Sequence, residues 1–346
     1  MSDLPQPLDG DPAARILVAG ASGYAGALAA HLVWNHPRLE LALATARSGV
    51  GERLDRLYPR YRAQIELTEL DLDEIEAADA AIVAYPHGAA APVVAALRGL
   101  GVQVVDLSAD YRLRDIPTYE KWYGPHGDPD LLQNAVYGLP ELHRARVAAG
   151  ELIANPGCYP TAALLALAPL AEAGLIESVV IDAKSGVSGA GRDGGEAMSF
   201  VSRTENCAAY GLGGHRHLPE IEQELGLLQP RGRAAAAVTF VPHLLPVDQG
   251  LLASCYVDLS EELEEEALAR LYDDRYRDEP FVEVTESPPG IRDVRETNLC
   301  RVHATGVGER KAAVFAVIDN LWKGASGQAI QNLNLMLGLD EREGLR

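Results

Sequence analysis

Arg15-Ile16-Leu17-Val18-Ala19-Gly20-Ala21-Ser22-Gly23-Tyr24-Ala25-Gly26 reads as a short buried strand that runs directly into a glycine-rich turn, followed by an apolar helix from Tyr24 to Asn35. Leu39 to Ala44 is a second strand, which completes one βαβ unit. In that setting the glycine spacing has a physical meaning. A tight turn lets backbone N–H groups at the helix start approach a pyrophosphate, and the helix dipole favours its charge. Gly20, Ser22, Gly23, Tyr24, Ala25 and Gly26 are therefore candidate cofactor contacts. The spacing Gly-x-x-Gly-x-x-Gly is not the usual Gly-x-Gly-x-x-Gly, so the turn alone does not choose the dinucleotide, and a turn serving only strand–helix packing is the other reading. After the second strand comes Ala44-Thr45-Ala46-Arg47-Ser48, where NAD sites place an acid for the ribose 2′-hydroxyl. Arg47 and Ser48 suit a 2′-phosphate and favour NADP(H); the other reading makes Arg47 a solvated loop arginine.

The pattern recurs outward. Ala80 to Ala84 is a strand, Ala89 to Leu97 a helix and Val102 to Asp106 a strand, which predicts a parallel, doubly wound, Rossmann-type sheet covered on both faces. Beyond Leu152-Ile153-Ala154 the composition changes. Val179 to Ala183, Ala235 to Val241, Leu251 to Val257 and Ala312 to Ile318 are β-rich and mix with acidic helices, Pro219 to Leu225 and Glu261 to Tyr276. The second domain is thus expected to be α+β, within an α/β fold overall. Gly327 to Leu337 is an amphipathic helix expected to return to the first domain. The predicted division is a flexible extension over 1–14, a dinucleotide-binding domain over 15–154 and 325–346, and a catalytic domain over 155–324.

The chain of 346 residues, 47% hydrophobic and 23% charged, is long enough for about two domains at ~150 residues each. Its 30 basic against 50 acidic residues give a formal net charge of −20, which argues against nucleic acid as a partner. The four cysteines form no Cys-x-x-Cys pair, so neither a zinc knuckle nor a disulfide framework is expected, and a reducing cytoplasm fits. Residues 1–14 carry acids and prolines in place of a basic and apolar leader. The longest apolar stretches, 77–100 and 161–181, are interrupted by proline and charge, so no membrane association is expected.

Ala154-Asn155-Pro156-Gly157-Cys158-Tyr159-Pro160-Thr161 leaves a strand through a Pro-Gly turn and puts Cys158 just before a helix expected near Thr161, where a thiolate is stabilised. Cys207, Cys255 and Cys300 lack that context and read as small apolar residues. A thiol nucleophile needs a proton-handling partner, and Gly213-Gly214-His215-Arg216-His217-Leu218-Pro219-Glu220 supplies two candidates. His217, nearer the helix entry, is preferred to His215, although the spacing does not separate them. No third ligand stands nearby, so no metal is expected. Further candidate ligand loops are Lys184-Ser185-Gly186-Val187-Ser188-Gly189-Ala190-Gly191-Arg192, Ser108-Ala109-Asp110-Tyr111-Arg112 and Asn320-Leu321-Trp322-Lys323-Gly324-Ala325. Arg112 could clamp a phosphate or carboxylate bidentately. Lys184 and Lys323 are two of only four lysines, and His243 reads as structural.

Together these motifs resemble the N-acetyl-gamma-glutamyl-phosphate reductases, relatives of aspartate-semialdehyde dehydrogenase. The resemblance runs from about Ile16 to Leu337 and is most specific at the Cys158 and His215-Arg216-His217 motifs. It implies NADPH-dependent reduction of an acyl phosphate to an aldehyde in arginine biosynthesis, through a Cys158 thioester with His217 moving protons. It also implies that Ser108, Arg112, Asn155, Lys184, His215 and Arg216 meet the substrate, with Arg112 on the leaving phosphate. Ser188, Gly189, Ala190, Asn320 and Gly324 would line the nicotinamide side. The α+β domain would carry the oligomer interface of a homodimer or homotetramer. One departure is Gln249-Gly250, where the family usually has Arg-Gly; that arginine's role is lost, moved to a residue such as Arg216, or dispensable. The lysine-pathway reductase acting on a carrier-bound aminoadipyl phosphate is the near alternative, and a net charge of −20 would repel its acidic carrier. Aspartate-semialdehyde dehydrogenase proper is disfavoured by the His-Arg-His motif. A non-catalytic NADP-binding sensor would not need the cysteine and histidine motifs together.

Overall fold

The computed structural model describes residues 10–72, 75, 78–192 and 199–346. The chain divides into two compact units, residues 1–156 with 325–346, and residues 157–324.

In the first unit the strands are β1 (Ala14–Ala19), β2 (Leu39–Thr45), β3 (Ala80–Val83), β4 (Gln103–Asp106), β5 (Val136–Tyr137) and β6 (Leu152–Ala154). They form one sheet in the order β2-β1-β3-β4-β6-β5, with every pairing parallel. Both faces are covered, which is why the central strands read as unbroken apolar runs: Ile16 to Ala19 and Ala80 to Val83 have no exposed surface. The order reverses between β1 and β3, the crevice where such sheets bind ligands. Ala14 is buried and already paired in β1, so the extension expected over 1–14 is shorter than that; its first nine residues lie outside the described residues.

The loop after β4 is built by Asp110. Its carboxylate accepts from Gly88 N, Ala90 N, Ala91 N and the Tyr119 hydroxyl, at 2.7 to 3.2 Å. The helix Ala91–Gly99 has no cap of its own, so this distant aspartate serves its N-terminus. Asp106 is fully buried, and burial pushes its carboxyl up to about 7 against the two hydrogen bonds from Ser108.

The C-terminal helix, Gly327–Met336, belongs to this unit and departs from the expected amphipathic pattern, because it buries Gln328, Gln331, Asn332 and Asn334 completely. Asn332 Nδ2 donates to Gly138 O and Asn155 Oδ1, both at 2.9 Å. Asn334 Oδ1 meets His36 Nε2 at 3.1 Å, and Gln331 Nε2 donates to Glu141 and Glu341.

The second unit holds β7 (Ile176–Gly186), β8 (Ala208–Ala209), β9 (Ala237–Leu245), β10 (Leu251–Leu259), β11 (Val282–Val284), β12 (Cys300–Gly308) and β13 (Lys311–Ile318). Their order is β11-β12-β13-β10-β7-β9-β8, mixed in direction, as an α+β unit requires. The sequence pattern cut β7 and β9 short: Lys184, Ser185 and Gly186 lie in β7, and His243 in β9. The helix expected from Glu261 starts at Glu265.

The helix Cys158–Glu172 buries every residue from Tyr159 to Ala171. Pro169 lacks the N–H that Leu165 O would accept, and the Tyr276 hydroxyl takes that place. No helix among the described residues is long and apolar enough to cross a membrane.

Replacing Asp110 by alanine leaves the buried Ala90 and Ala91 N–H groups, and the exposed Gly88 N–H, without their acceptor. It should cost about 3 kcal/mol or more, read as a lower urea midpoint at unchanged slope.

Candidate active site

Two helix N-termini bring together the candidate catalytic residues of the second unit. The helix expected to begin near Thr161 begins at Cys158, so the thiol sits on the first helical residue, half-buried, with Gly157 as N-cap. The N-cap N–H of Gly157 donates to Glu220 Oε1 at 2.9 Å, and Thr161 Oγ1 donates to Gly157 O at 3.0 Å. The second helix, Leu218–Leu228, has His217 as N-cap and Glu220 in its first turn. The side chain that satisfies the first helix therefore belongs to the second, and it brings the Cys158 and His217 segments together.

His215 and His217 lie with ring centroids 4.9 Å apart, and Tyr159, next to Cys158 in the chain, reaches both at 5.6 and 5.9 Å. Tyr210 and Phe240 close the box around His215 at 5.4 and 5.2 Å. The Tyr210 hydroxyl donates to the Tyr159 oxygen at 3.2 Å, and Tyr159 donates to His243 O at 3.0 Å. Burial raises both phenols, Tyr210 to about 12 and Tyr159 further, so they stay neutral donors. The N–H of His217 donates to His215 Nδ1 at 3.1 Å, which leaves the His215 proton on Nε2. Burial, helped by the neighbouring Arg216 charge, lowers His215 to about 4. His215 is thus a fixed, neutral ring that shapes the turn.

Gly324 lies in a π-type turn, Trp322–Ser326, after β13. A Cβ there would sit 2.7 Å from Cys158 Cβ, so the expected cofactor residue lies directly against Cys158. Asn320 Nδ2 donates to Ser188 Oγ, Ser188 Oγ to Asp248 O, and Gly250 N to Asn320 Oδ1, which fixes Ser188, Gly189 and the exposed Ala190 beside Asn320. Lys184 is held elsewhere. Its ammonium is 2.6 Å from Asp182 Oδ2, with His243 Nδ1 on the other oxygen at 3.2 Å. Arg216 is exposed beside the histidines. Gln249 is buried, and its carbonyl accepts from Arg295.

In the first unit, Gly20 adopts φ +90, and a Cβ on it would meet Ala84 O at 2.5 Å. A Cβ on Gly26 would lie 2.1 Å from Gly20 O. The first glycine makes the turn and the third lets helix and strand touch, while Gly23 is the N-cap of the helix Tyr24–Trp34. Ser22 Oγ and Ser48 Oγ are 3.3 Å apart, and the exposed Arg47 lies over the Tyr85 ring at 4.7 Å. These features form an anion-receptive turn with a cation beside it, as a phosphorylated dinucleotide requires.

Three residues expected on substrate are engaged within this unit's own framework. Ser108 Oγ donates to Asp106 and accepts from Asp110 N; Arg112 donates to Asn155 O and Leu107 O; Asn155 donates to Ala325 O. Sequence reading missed Glu220, Tyr159, Tyr210 and Tyr85. Only Glu220 had a local signal, an acid three residues after an N-cap. Among the described residues no cluster could hold a metal ion.

A two-dimensional NMR titration should find the His215 ring uncharged and unshifted from pH 8 to 5. His36 is also lowered to about 4, chiefly by burial, from 6.5. Unfolding must protonate both rings, so the stability they carry is full above about pH 6.5 and lost as pH falls through about 4.

Residues 15–149 match the family model described as the semialdehyde dehydrogenase NAD binding domain, and residues 158–320 match its dimerisation domain. N-acetyl-gamma-glutamyl-phosphate reductase from Cellvibrio japonicus is 44% identical over 336 residues, covering 95% of this chain and 97% of that protein. The enzyme of that name from Nitrosospira multiformis is 45% identical, covering 94% and 96%. Among solved structures, aspartate semialdehyde dehydrogenase II from Vibrio cholerae superposes with a TM-score of 0.72 at 17% identity, over 94% of this chain and 98% of that one. The Candida albicans enzyme, crystallised with NADP, gives 0.69 at 15%, over 93% and 98%. Those two show the shared fold, and the sequence relatives show the family: the chain belongs to the N-acetyl-gamma-glutamyl-phosphate reductases within the semialdehyde dehydrogenases.

Proposed function

We propose that this chain reduces N-acetyl-gamma-glutamyl phosphate to N-acetylglutamate semialdehyde and inorganic phosphate with NADPH, as a cytoplasmic step of arginine biosynthesis. The observation that carries the reading is Cys158 on the first residue of a buried helix, joined at its N-terminus to the helix that His217 begins. A helix N-terminus favours negative charge on sulfur. His217 takes the thiol proton, Cys158 Sγ forms a bond to the acyl carbon, and the carbon–oxygen bond to phosphate breaks to leave a thioester. A nicotinamide held by the residues named below would supply hydride chemistry, which is what reducing a thioester to the aldehyde level requires. The carbon–sulfur bond then breaks, and the departing sulfur takes back the proton held on His217, which regenerates both the cysteine and its base. His215, neutral and locked, keeps the turn in place and leaves proton transfer to His217.

Gly20 to Gly26 and Ser22 would hold the pyrophosphate, and Arg47 with Ser48 the 2′-phosphate. Ser188, Gly189, Ala190 and Asn320 would hold the nicotinamide side. Arg112 keeps a guanidinium at the carboxyl end of β4 for the leaving phosphate, with Ser108 and Asn155 shaping that loop. Arg216, exposed beside His215, suits the substrate carboxylate better than Lys184, whose ammonium lies on Asp182. A homo-oligomer is supported by the match to a dimerisation domain and by the cross-strand partners Val180 and Tyr256, 42% and 46% exposed on the sheet of the second unit.

The test is phosphate-dependent NADP reduction with N-acetylglutamate semialdehyde and, separately, aspartate semialdehyde. Turnover only with the acetylated substrate, reduced about 10³-fold or more in Cys158→Ser, is expected. No turnover with either substrate, or full activity in the variant, would overturn the assignment or the thioester route respectively. Arg47→Asp should raise KM for NADPH about tenfold or more while sparing NADH.

A further inference from the structure

Glu220 is a buried acid whose partner is the Cys158 turn. It is 1% exposed, it stands in the first turn of the helix Leu218–Leu228, and Oε1 accepts the N-cap N–H of the Cys158 helix at 2.9 Å. Gly157 is buried as well, so the bond is shielded at both partners. The geometry points to two effects of different physical origin. The hydrogen bond fixes the start of one helix to the start of the other, and so fixes Cys158 relative to His217. The carboxylate charge, placed at both N-termini, offsets the positive ends of the helix dipoles that would otherwise make the thiol more acidic.

We propose that Glu220 is the positioning residue of the nucleophile, holding the Cys158 turn through Gly157 N–H while its charge keeps the thiol protonated until His217 removes the proton. The inference rests on the reading of Cys158 as nucleophile. A thiol kept neutral at rest resists oxidation and alkylation, and becomes reactive only beside its base. The other titratable groups near Cys158 are Tyr159 on its own helix, Tyr210, His215 and His217 from the segments packed on it, and Lys323 and Arg216 next to Gly324 and His215. Two further buried acids stand on these elements, Glu224 one turn on from Glu220 and Asp319, whose backbone carbonyl accepts from Gly324 N; both are unchanged in the Glu220 variants, so the comparison between variants isolates the Glu220 charge.

Glutamine keeps the accepting oxygen and removes the charge, whereas alanine removes both. In a Cys207→Ser background, which silences the exposed thiol, iodoacetamide labelling of Cys158 is followed by mass spectrometry from pH 5 to 10 without substrate. Glu220→Gln should lower the apparent thiol pKa by about one unit, giving about tenfold faster labelling on the acid side. It should keep kcat within about threefold of wild type, while Glu220→Ala loses about 10²-fold in kcat at little change in either KM. A glutamine labelling profile that superimposes on wild type, or a glutamine variant as slow in turnover as the alanine, overturns the proposal. Because labelling needs no substrate, a wrong substrate would leave that result standing. Full activity in Cys158→Ser would instead remove the nucleophile reading itself.

Discussion

A fifteen-residue helix buried on every side governs the second unit. Burial removes water as a partner at its N-cap and along its length, so the backbone groups there must be met by the protein itself. Glu220 meets the N-cap, Gly324 leaves room for Cys158, and the Tyr276 hydroxyl repairs the bond Pro169 cannot make. Leu165 O, Ala166 O and the Gly157 N–H are thus served by side chains from two other helices. The placement of the thiol follows from the same accounting that lets the helix exist in an apolar interior.

The first unit solves an equivalent problem with carboxylates and amides. Its sheet is apolar through the centre, and the polar residues collect where the chain leaves it. Asp106, Ser108 and Asp110 form one hydrogen-bonded series that fixes the loop after β4 and caps the helix Ala91–Gly99. An arginine and an asparagine that look in sequence like ligand residues hold framework: Arg112 donates to Asn155 O and Leu107 O, and the Asn155 side chain donates to Ala325 O and accepts from Asn332. A conspicuous polar motif can therefore be the scaffold of a loop as well as its working surface.

The parallel sheet was legible because its strands are doubly buried and bracketed by glycine, so that Arg15 to Gly26 alone conveys strand, turn and helix. β12 escaped because Cys300 to Gly308 alternates with exposed glycines and a threonine and carries no strong period. The register of β7 and β9 was legible only in part, since Lys184 and His243 extend strands that the apolar pattern ends early. At the candidate site, the turn and helix-entry settings of Cys158 and His217 were legible in sequence. The Glu220 contact did not, since it joins residues 63 apart in the chain, and the aromatic box of Tyr159, Tyr210 and Phe240 is assembled from three separate segments. The neutrality of His215 is likewise a product of burial, which spacing does not encode.

The helix Gly327–Met336 and the tail behind it complete the first unit, with Asn332 against Gly138 and Asn155, Glu341 on Arg144, and His36 between Asn334 and Glu343 O. The second unit, by contrast, is one continuous stretch of chain. During synthesis, domains fold as their residues emerge. Residues 157–324 are therefore available to fold as a whole before the first unit has its last helix, and the segment made first is the last to be finished.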